Sequence, residues 1–94
     1  MSGSFDRPWF LYIIQVGEDG MLYTGISTNV QRRLKVHSEG RGSRWLRGKK
    51  DLRVVYQEMV GSHGDALRRE IAVKKLTRVQ KLELIKSGPH TLDR

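Results

Sequence analysis

The sequence contains no cysteine and only 2 prolines among its 94 residues. Without cysteine, the chain forms neither a disulfide nor a cysteine-ligated zinc site, which fits a reducing compartment. No apolar run approaches the roughly 20 residues of a membrane-spanning helix. The beginning of the chain also lacks a basic segment followed by an apolar core, the pattern of a secretion signal. We therefore expect a cytoplasmic protein without a membrane partner.

The length suits one domain, since domains cluster at about 100 to 150 residues. Hydrophobic residues make up 37% of the chain and charged residues 30%, a balance typical of globular proteins. We assign a single domain to residues 9–87, with a flexible N-terminal tail over 1–8 and a C-terminal tail over 88–94. The sequence shows no internal repeat or low-complexity segment.

Positive charge is concentrated in one stretch of the chain. The formal net charge is +8, and residues 32–53 contain nine basic and two acidic residues, a local excess of +7. A surface of this kind suits contact with a polyphosphate such as nucleic acid. A solvated basic face without a specific partner is the structural alternative.

Apolar runs and turn residues predict three strands. Residues 9–16 have almost no polar interruption, which predicts a central strand buried on both faces. The turn sequence GEDG at 17–20 then predicts an antiparallel hairpin whose second strand covers 21–26. A third strand is predicted over 52–60. Alternation along it places four side chains on one face: Leu52, Val54, Tyr56 and Glu58.

Three helices are expected around this sheet. The first covers residues 29–37 with Thr28 or Asn29 as its N-cap, the second follows Asp65 as its cap, and the third covers 77–86. Their inward stripes are predicted to be Ala66, Leu67, Ile71 and Val73 in the second helix and Val79, Leu82 and Ile85 in the third. The expected fold class is therefore α+β, a three-stranded antiparallel sheet flanked by about three helices.

The stretch from Leu22 to His37 holds the first candidate site. A strand carrying Tyr23 is expected to end at Gly25, and the helix that follows carries Arg33 and His37 four residues apart. This spacing places a guanidinium and an imidazole on one helical face, close to the phenol of the preceding strand. The alternative is a solvated basic helix with an ordinary surface histidine.

Glu70 is the unexpected residue of the second helix, because it falls within the stripe that should face the sheet. One explanation is an ion pair with Lys74, one helical turn later. Another is a divalent cation, since Mg²⁺ takes one or two carboxylates and retains water ligands. The residues alone favour the ion pair.

The ordered set of these side chains resembles the GIY-YIG nuclease family over nearly the whole chain. Phe10-Leu11-Tyr12 stands at the first motif and Tyr23-Thr24-Gly25 at the second, which makes Gly25 the motif's turn glycine. Arg33 follows that glycine by eight residues, His37 by another four, and Glu70 lies in the second helix. The resemblance is greatest to small single-domain bacterial members and to the nuclease domain of eukaryotic enzymes that cut branched DNA.

The resemblance implies a role for each residue of the set. It implies hydrolysis of a DNA phosphodiester with one divalent ion, Mg²⁺ or Mn²⁺, held by Glu70. Arg33 would stabilise the charge that builds on the phosphate. Tyr12 or Tyr23 would be the general base, and His37 would accept the phenolic proton or orient the ring.

Three departures from the family pattern concern activity and selectivity. Ile26 stands where excision-repair members carry a lysine, so a lysine-assisted base is not available. Many members have an asparagine after the metal-binding glutamate, whereas the only asparagine here is Asn29. The chain also shows no zinc module or separate DNA-binding domain. Selectivity would then come from shape, from a homodimer or from a protein partner.

Two functions remain open from the sequence. The first is a metal-dependent DNA endonuclease, selective for branched or damaged DNA. The second is a nucleic-acid-binding module that keeps the nuclease fold without turnover. Either would grip DNA through a basic segment in which an aromatic ring can stack on an unpaired base: Arg41, Arg44, Trp45, Arg47, Lys49 and Lys50.

Overall fold

The computed structural model describes residues 7–17, 20–39 and 51–88. In chain order these contain β1 (Trp9–Val16), β2 (Met21–Ser27), α1 (Val30–Ser38), β3 (Leu52–Gly61), α2 (His63–Lys74) and α3 (Arg78–Ser87). The three strands form one antiparallel sheet in the order β2-β1-β3. The predicted α+β class is confirmed, with β1 as the central strand.

Each helix begins where a polar side chain accepts a free backbone N–H. Asn29 caps α1 by accepting from the N–H of Arg32 at 3.0 Å, so the second of the two predicted caps is the one used. The prediction of Asp65 as the cap of α2 is wrong, because Ser62 accepts from the Asp65 N–H at 3.1 Å. Asp65 instead lies in the first turn, where its charge favours the helix N-terminus. Thr77 caps α3.

The core lies on both faces of the sheet because side chains of the central strand alternate in direction. Leu11 and Ile13 are fully buried on one face and pack with Val73 of α2. Tyr12 and Ile14 point to the opposite face and pack with Val30 of α1. The sheet therefore separates α1 from α2.

Strand β3 changes face partway along its length. Ile13 pairs with Tyr56 while Ile14 pairs with Val54, so one extra residue interrupts the register of β3. Such a bulge breaks the alternation of side chains. Val54 accordingly packs on the α1 face and Tyr56 on the α2 face. The prediction that Leu52, Val54, Tyr56 and Glu58 share one face is wrong for this reason.

The predicted apolar stripes of α2 and α3 are wider than the buried ones. Leu67 is 41% exposed and Ile71 56%, while Ala66 and Val73, two turns apart, are the buried pair of α2. In α3, Val79 is 67% exposed and Leu82 43%, whereas Ile85, which was also predicted to face inward, packs against the core together with Leu84. Each helix thus packs through fewer apolar residues than predicted, and its other apolar side chains are exposed.

None of the described helices has the length and apolar character needed to cross a membrane.

The assignment of residues 9–87 as a single domain stays a prediction. Residues 1–6 and 89–94 of the predicted tails lie outside the described part of the chain, as does the segment 40–50.

Candidate active site

Tyr12 and Gly25 lie opposite each other on the two paired strands β1 and β2. A Cβ atom at Gly25 would lie 2.5 Å from the Tyr12 Oη and 2.7 Å from its Cζ, so only glycine leaves room for the phenol. Strand β2 continues to Ser27, and the prediction that it ends at Gly25 is wrong. The glycine is required here by the close approach of a ring rather than by a turn.

His37 projects from α1 into the same region and is fully buried. Its Nε2 lies 3.1 Å from the Tyr12 Oη, and the Tyr23 ring meets the imidazole edge-on at a centroid distance of 5.4 Å. The alternative of a surface histidine is therefore wrong. The basic helix packs its histidine between two strand tyrosines, as the spacing in the sequence predicts.

Arg33 lies one turn before His37 and also hydrogen-bonds to the Tyr12 hydroxyl. Because a guanidinium only donates, the phenol oxygen accepts from Arg33. The Nδ1 of His37, on the other side of the imidazole, is buried without a hydrogen-bond partner among the described residues.

Burial sets the protonation of this cluster. Burial and, to a lesser extent, the neighbouring Tyr23 phenol raise the pKa of Tyr12 to about 12, against the lowering effect of Arg33. Burial also lowers the pKa of His37 below its usual value, with the charge of Arg33 acting in the same direction. Around neutral pH the cluster therefore consists of a neutral phenol, a neutral imidazole and a fixed cation.

Glu70 of α2 reaches this cluster from another element. Its negative charge is among the causes that raise the pKa of Tyr12, so the carboxylate lies within electrostatic range of the phenol. The Glu70 side chain is 19% exposed, and its Oε2 also pairs with the Lys74 Nζ at 3.2 Å. The ion pair, one of the two explanations that the sequence offered for Glu70, is therefore present, and the divalent cation stays a prediction.

The helix that carries Glu70 is fixed to the sheet at the preceding residue. The Arg69 Nε donates to Glu58 Oε2 at 2.7 Å and its Nη2 donates to Glu58 Oε1 at 3.1 Å. Tyr56 of β3 donates to the same carboxylate. These hydrogen bonds between Arg69, Glu58 and Tyr56 hold α2 against β3.

The described residues contain no group of three or more His, Asp or Glu side chains that would hold a metal ion. Glu70 is a single hard oxygen donor beside the phenols and Arg33. That donor set fits an ion of the Mg²⁺ type, which takes one or two carboxylates and completes its shell with water and substrate phosphate.

A cleft beside Arg33 contains two cations that the sequence reasoning did not select. Arg7 and Arg32 line a space of about 250 Å³ together with Arg33, Thr28 and the N-terminal turn of α1. Their only signal in the sequence is the adjacency of Arg32 to Arg33. The predicted DNA contacts Arg41, Arg44, Trp45, Arg47, Lys49 and Lys50 lie outside the described residues.

Comparison with known proteins identifies the family and supports the fold. The family model described as the GIY-YIG catalytic domain matches residues 8–83. The UPF0213 protein YhbQ of Escherichia coli K12 is 48% identical over 81 residues, which cover 86% of this chain and 80% of the relative. A UPF0213 protein of Serratia liquefaciens, named for the potE 3' region, is 45% identical over 92% of this chain and 83% of its own length.

A solved structure supports the fold in the same way. The solution NMR structure of the UPF0213 protein BH0048 from Bacillus halodurans is 36% identical to this chain and superposes with a TM-score of 0.55. The match covers 85% of this chain and 84% of that one. The similarity therefore includes nearly all of the described sheet and helices.

Proposed function

The chain belongs to the GIY-YIG family, whose catalytic domain is that of nucleases, and we propose that it is a metal-dependent DNA endonuclease that hydrolyses phosphodiester bonds in branched or damaged DNA. One observation carries the proposal. Three elements bring a phenol, an imidazole and a guanidinium together: Tyr12 of β1 and the pair Arg33 and His37 of α1, around Gly25 of β2. The Glu70 carboxylate of α2 lies within electrostatic range of that phenol.

Arg33 has the role of the fixed cation in this proposal. Attack of water on a phosphodiester builds negative charge on the non-bridging oxygens, and a guanidinium already held in place stabilises that charge without reorganising. The hydrogen bond from Arg33 to Tyr12 orients the guanidinium. Arg7 and Arg32, which line the same cleft, would hold neighbouring phosphates.

Tyr23 is the better candidate for the general base. Tyr12 is only 2% exposed, and its pKa is raised to about 12, so its phenolate is both inaccessible to water and strongly disfavoured. Tyr23 is half-buried and lies against His37. In this assignment Tyr12 and His37 are positioning residues, which hold Arg33 and the Tyr23 ring.

GIY-YIG nucleases generally depend on a divalent metal, and Glu70 is the residue that would hold it here. When bound, Mg²⁺ supplies positive charge to the phosphate and favours ionisation of water at neutral pH. The protein's part is to hold the Glu70 carboxylate in place, and its ion pair with Lys74 does so.

The direct test is cleavage of end-labelled branched DNA and matched linear duplex in Mg²⁺. We expect Glu70→Gln and Arg33→Ala to reduce the single-turnover rate at least about 100-fold, the loss typical of removing one electrostatic group from an active site. Glu83→Gln and Lys86→Ala are matched controls, since both residues are exposed on α3, which contributes no residue to the cluster. Cleavage that survives Glu70→Gln, or that falls equally in the controls, contradicts the proposal.

A binding module without turnover is the second candidate. The observation that favours it is the pair between Glu70 and Lys74, which occupies one oxygen of the only acid assigned to the site. This candidate predicts salt-sensitive DNA binding with no cleavage in Mg²⁺ or Mn²⁺. Product formation by the native protein that depends on Glu70 excludes it.

A further inference from the structure

A second cleft opens next to the candidate active site. It has a volume of about 640 Å³ and shares two lining residues, Arg7 and Thr28, with the smaller cleft that contains Arg32 and Arg33. The two spaces therefore adjoin along the N-terminal side of α1. Their combined size is in the range of sites that enclose nucleotide-sized ligands.

Two aromatic rings line the larger cleft. Trp9 begins β1 and His63 begins α2, and their rings stack at a centroid distance of 4.2 Å with an interplanar angle of 29°. Trp9 pairs in register with Gly61, whose φ of 133° lets the chain leave β3 and enter α2 directly. The local backbone thus places His63 over the indole.

The two clefts together contain charges and aromatic rings. Arg7, Arg32 and Arg33 line the smaller cleft, and Arg7 also lines the larger one together with the stacked rings of Trp9 and His63. Single-stranded nucleic acids are bound by this combination, in which cations follow the backbone and aromatic side chains stack on bases. A duplex has no unpaired base to offer the rings.

We propose that this cleft is the binding site for a single-stranded DNA segment adjoining the cleaved bond, with Arg7 and Arg32 on its phosphates and an unpaired base stacked against Trp9 and His63. The inference rests on the proposed function for the position of the cleaved bond, and it names the substrate as DNA with a single-stranded arm. Trp9 and His63 are binding residues and take no part in bond breaking.

Tryptophan fluorescence tests the stacking directly. In a Trp45→Phe protein, Trp9 is the sole tryptophan, since the chain contains 2. The protein is titrated in EDTA, so that nothing is cut, with a duplex carrying a short single-stranded arm, the same arm made of abasic nucleotides, and a blunt duplex. We expect the normal arm to quench Trp9 fluorescence and the other two DNAs to leave it nearly unchanged. Equal quenching by all three, or none by the normal arm, overturns the proposal.

Affinity measured by anisotropy provides the second test. We expect His63→Ala to weaken binding of the normal arm roughly 5- to 100-fold, the effect of losing one stacking ring, with little change for the abasic arm. His63 is exposed, so this variant avoids the folding risk of replacing the half-buried Trp9. Arg32→Ala should weaken both arms and reduce the salt dependence by about one phosphate contact.

Lys86→Ala is the control for the loss of one charge, because Lys86 lies in the last turn of α3 and lines neither cleft. Unchanged affinity in His63→Ala and Arg32→Ala, in a protein that still cuts DNA through Glu70, rejects the cleft and leaves the proposed function intact. If His63→Ala selectively weakens binding of the normal arm but the native protein does not cut DNA, the proposed binding site is supported and the proposed nuclease activity is rejected.

Discussion

Two tyrosines on opposite faces of the sheet have the same raised pKa in very different surroundings. Burial raises the pKa of both Tyr12 and Tyr56 to about 12. Tyr56 donates to Glu58, whose two oxygens also accept both hydrogen bonds from Arg69. The acid, the base and the phenol of this network all have their partners within it.

The Tyr12 cluster is not complete in this way. Arg33 donates to the phenol, His37 shares a hydrogen bond with it, and the imidazole keeps a buried Nδ1 that has no partner among the described residues. The acid within electrostatic range, Glu70, pairs with Lys74. A complete network holds two elements together, whereas a cluster whose guanidinium also lines an arginine-rich cleft is suited to contact an anion such as a phosphate.

Among the variants that distinguish the two tyrosine networks, Gly25→Ala is expected to have the largest effect on stability and cleavage. The new methyl group would lie 2.5 Å from the Tyr12 Oη, so the phenol must leave its position. We expect a loss of about 1–3 kcal/mol in the free energy of unfolding, typical of an overpacked core. Because the phenol orients Arg33, the cleavage rate should fall at least about 100-fold.

Gly64→Ala is the matched control for this substitution. Its Cβ would meet only side-chain atoms of Arg68 and Ser62, at 3.8 Å or more. Alanine in place of glycine within a helix stabilises by about 0.5–1 kcal/mol. Urea unfolding and single-turnover cleavage measure both variants, and a Gly25→Ala protein that unfolds and cuts like the native one contradicts the account.

Removing either phenolic hydroxyl separates the two networks by function. Tyr12→Phe and Tyr56→Phe should each cost about 1–2 kcal/mol of stability, since each leaves a buried partner without its hydrogen bond. Only Tyr12→Phe should reduce cleavage, by about 10-fold or more, because Tyr12 holds Arg33. Rates measured well below the unfolding temperature decide between them. Equal loss of cleavage in the two variants would show that the comparison is mistaken.

Glu58→Gln tests the structural network by stability alone. The Glu58 side chain is 14% exposed and accepts two bonds from Arg69, so replacing its charge should cost about 1–3 kcal/mol. Cleavage at low temperature should stay within about threefold of the native rate, as α2 remains packed through Ala66 and Val73. Asp65→Asn, which alters an exposed pair with Arg68, is the control and should leave the stability nearly unchanged.

The smallest effect is a dependence of stability on pH that comes from His37. Burial lowers the pKa of His37 in the folded protein below its unfolded value of about 6.5. The unfolded state therefore binds the proton first as the pH falls. The contribution of His37 is complete above about pH 6.5 and is lost below it, with a slope of at most about 1.4 kcal/mol per pH unit.

Urea unfolding at pH 7.5 and at pH 5.5 measures this slope. It should be smaller in His37→Gln than in the native protein and unchanged in His63→Gln, whose histidine is exposed on α2. An identical slope in the native and His37→Gln proteins means that the imidazole is not held neutral by burial.

Strand order, helix number and the family were predictable because each rests on local chemistry. The apolar run of β1, the GEDG turn and the cap at Asn29 are signals carried by neighbouring residues. The spacing of Arg33 and His37 predicted their common face in the same way.

What the sequence did not show depends on contacts between distant residues. The bulge that moves Tyr56 to the other face of the sheet is set by pairing with β1. The clash that excludes a side chain at Gly25 comes from a ring thirteen residues earlier. The stack of Trp9 on His63 joins the start of β1 to the start of α2, and no pattern of neighbouring residues in the sequence indicates it.

The central claim is that Glu70 faces the Tyr12 cluster as the ligand of a metal ion, and paramagnetic broadening by Mn²⁺ tests it most directly. In NMR spectra of the protein with an uncleavable phosphorothioate DNA, Mn²⁺ should first broaden the amide signals around Glu70 and those of Tyr23 to Gly25. The broadening should disappear in Glu70→Gln and persist in Glu83→Gln. Broadening that is the same in both variants, or that spares β2, would contradict the account.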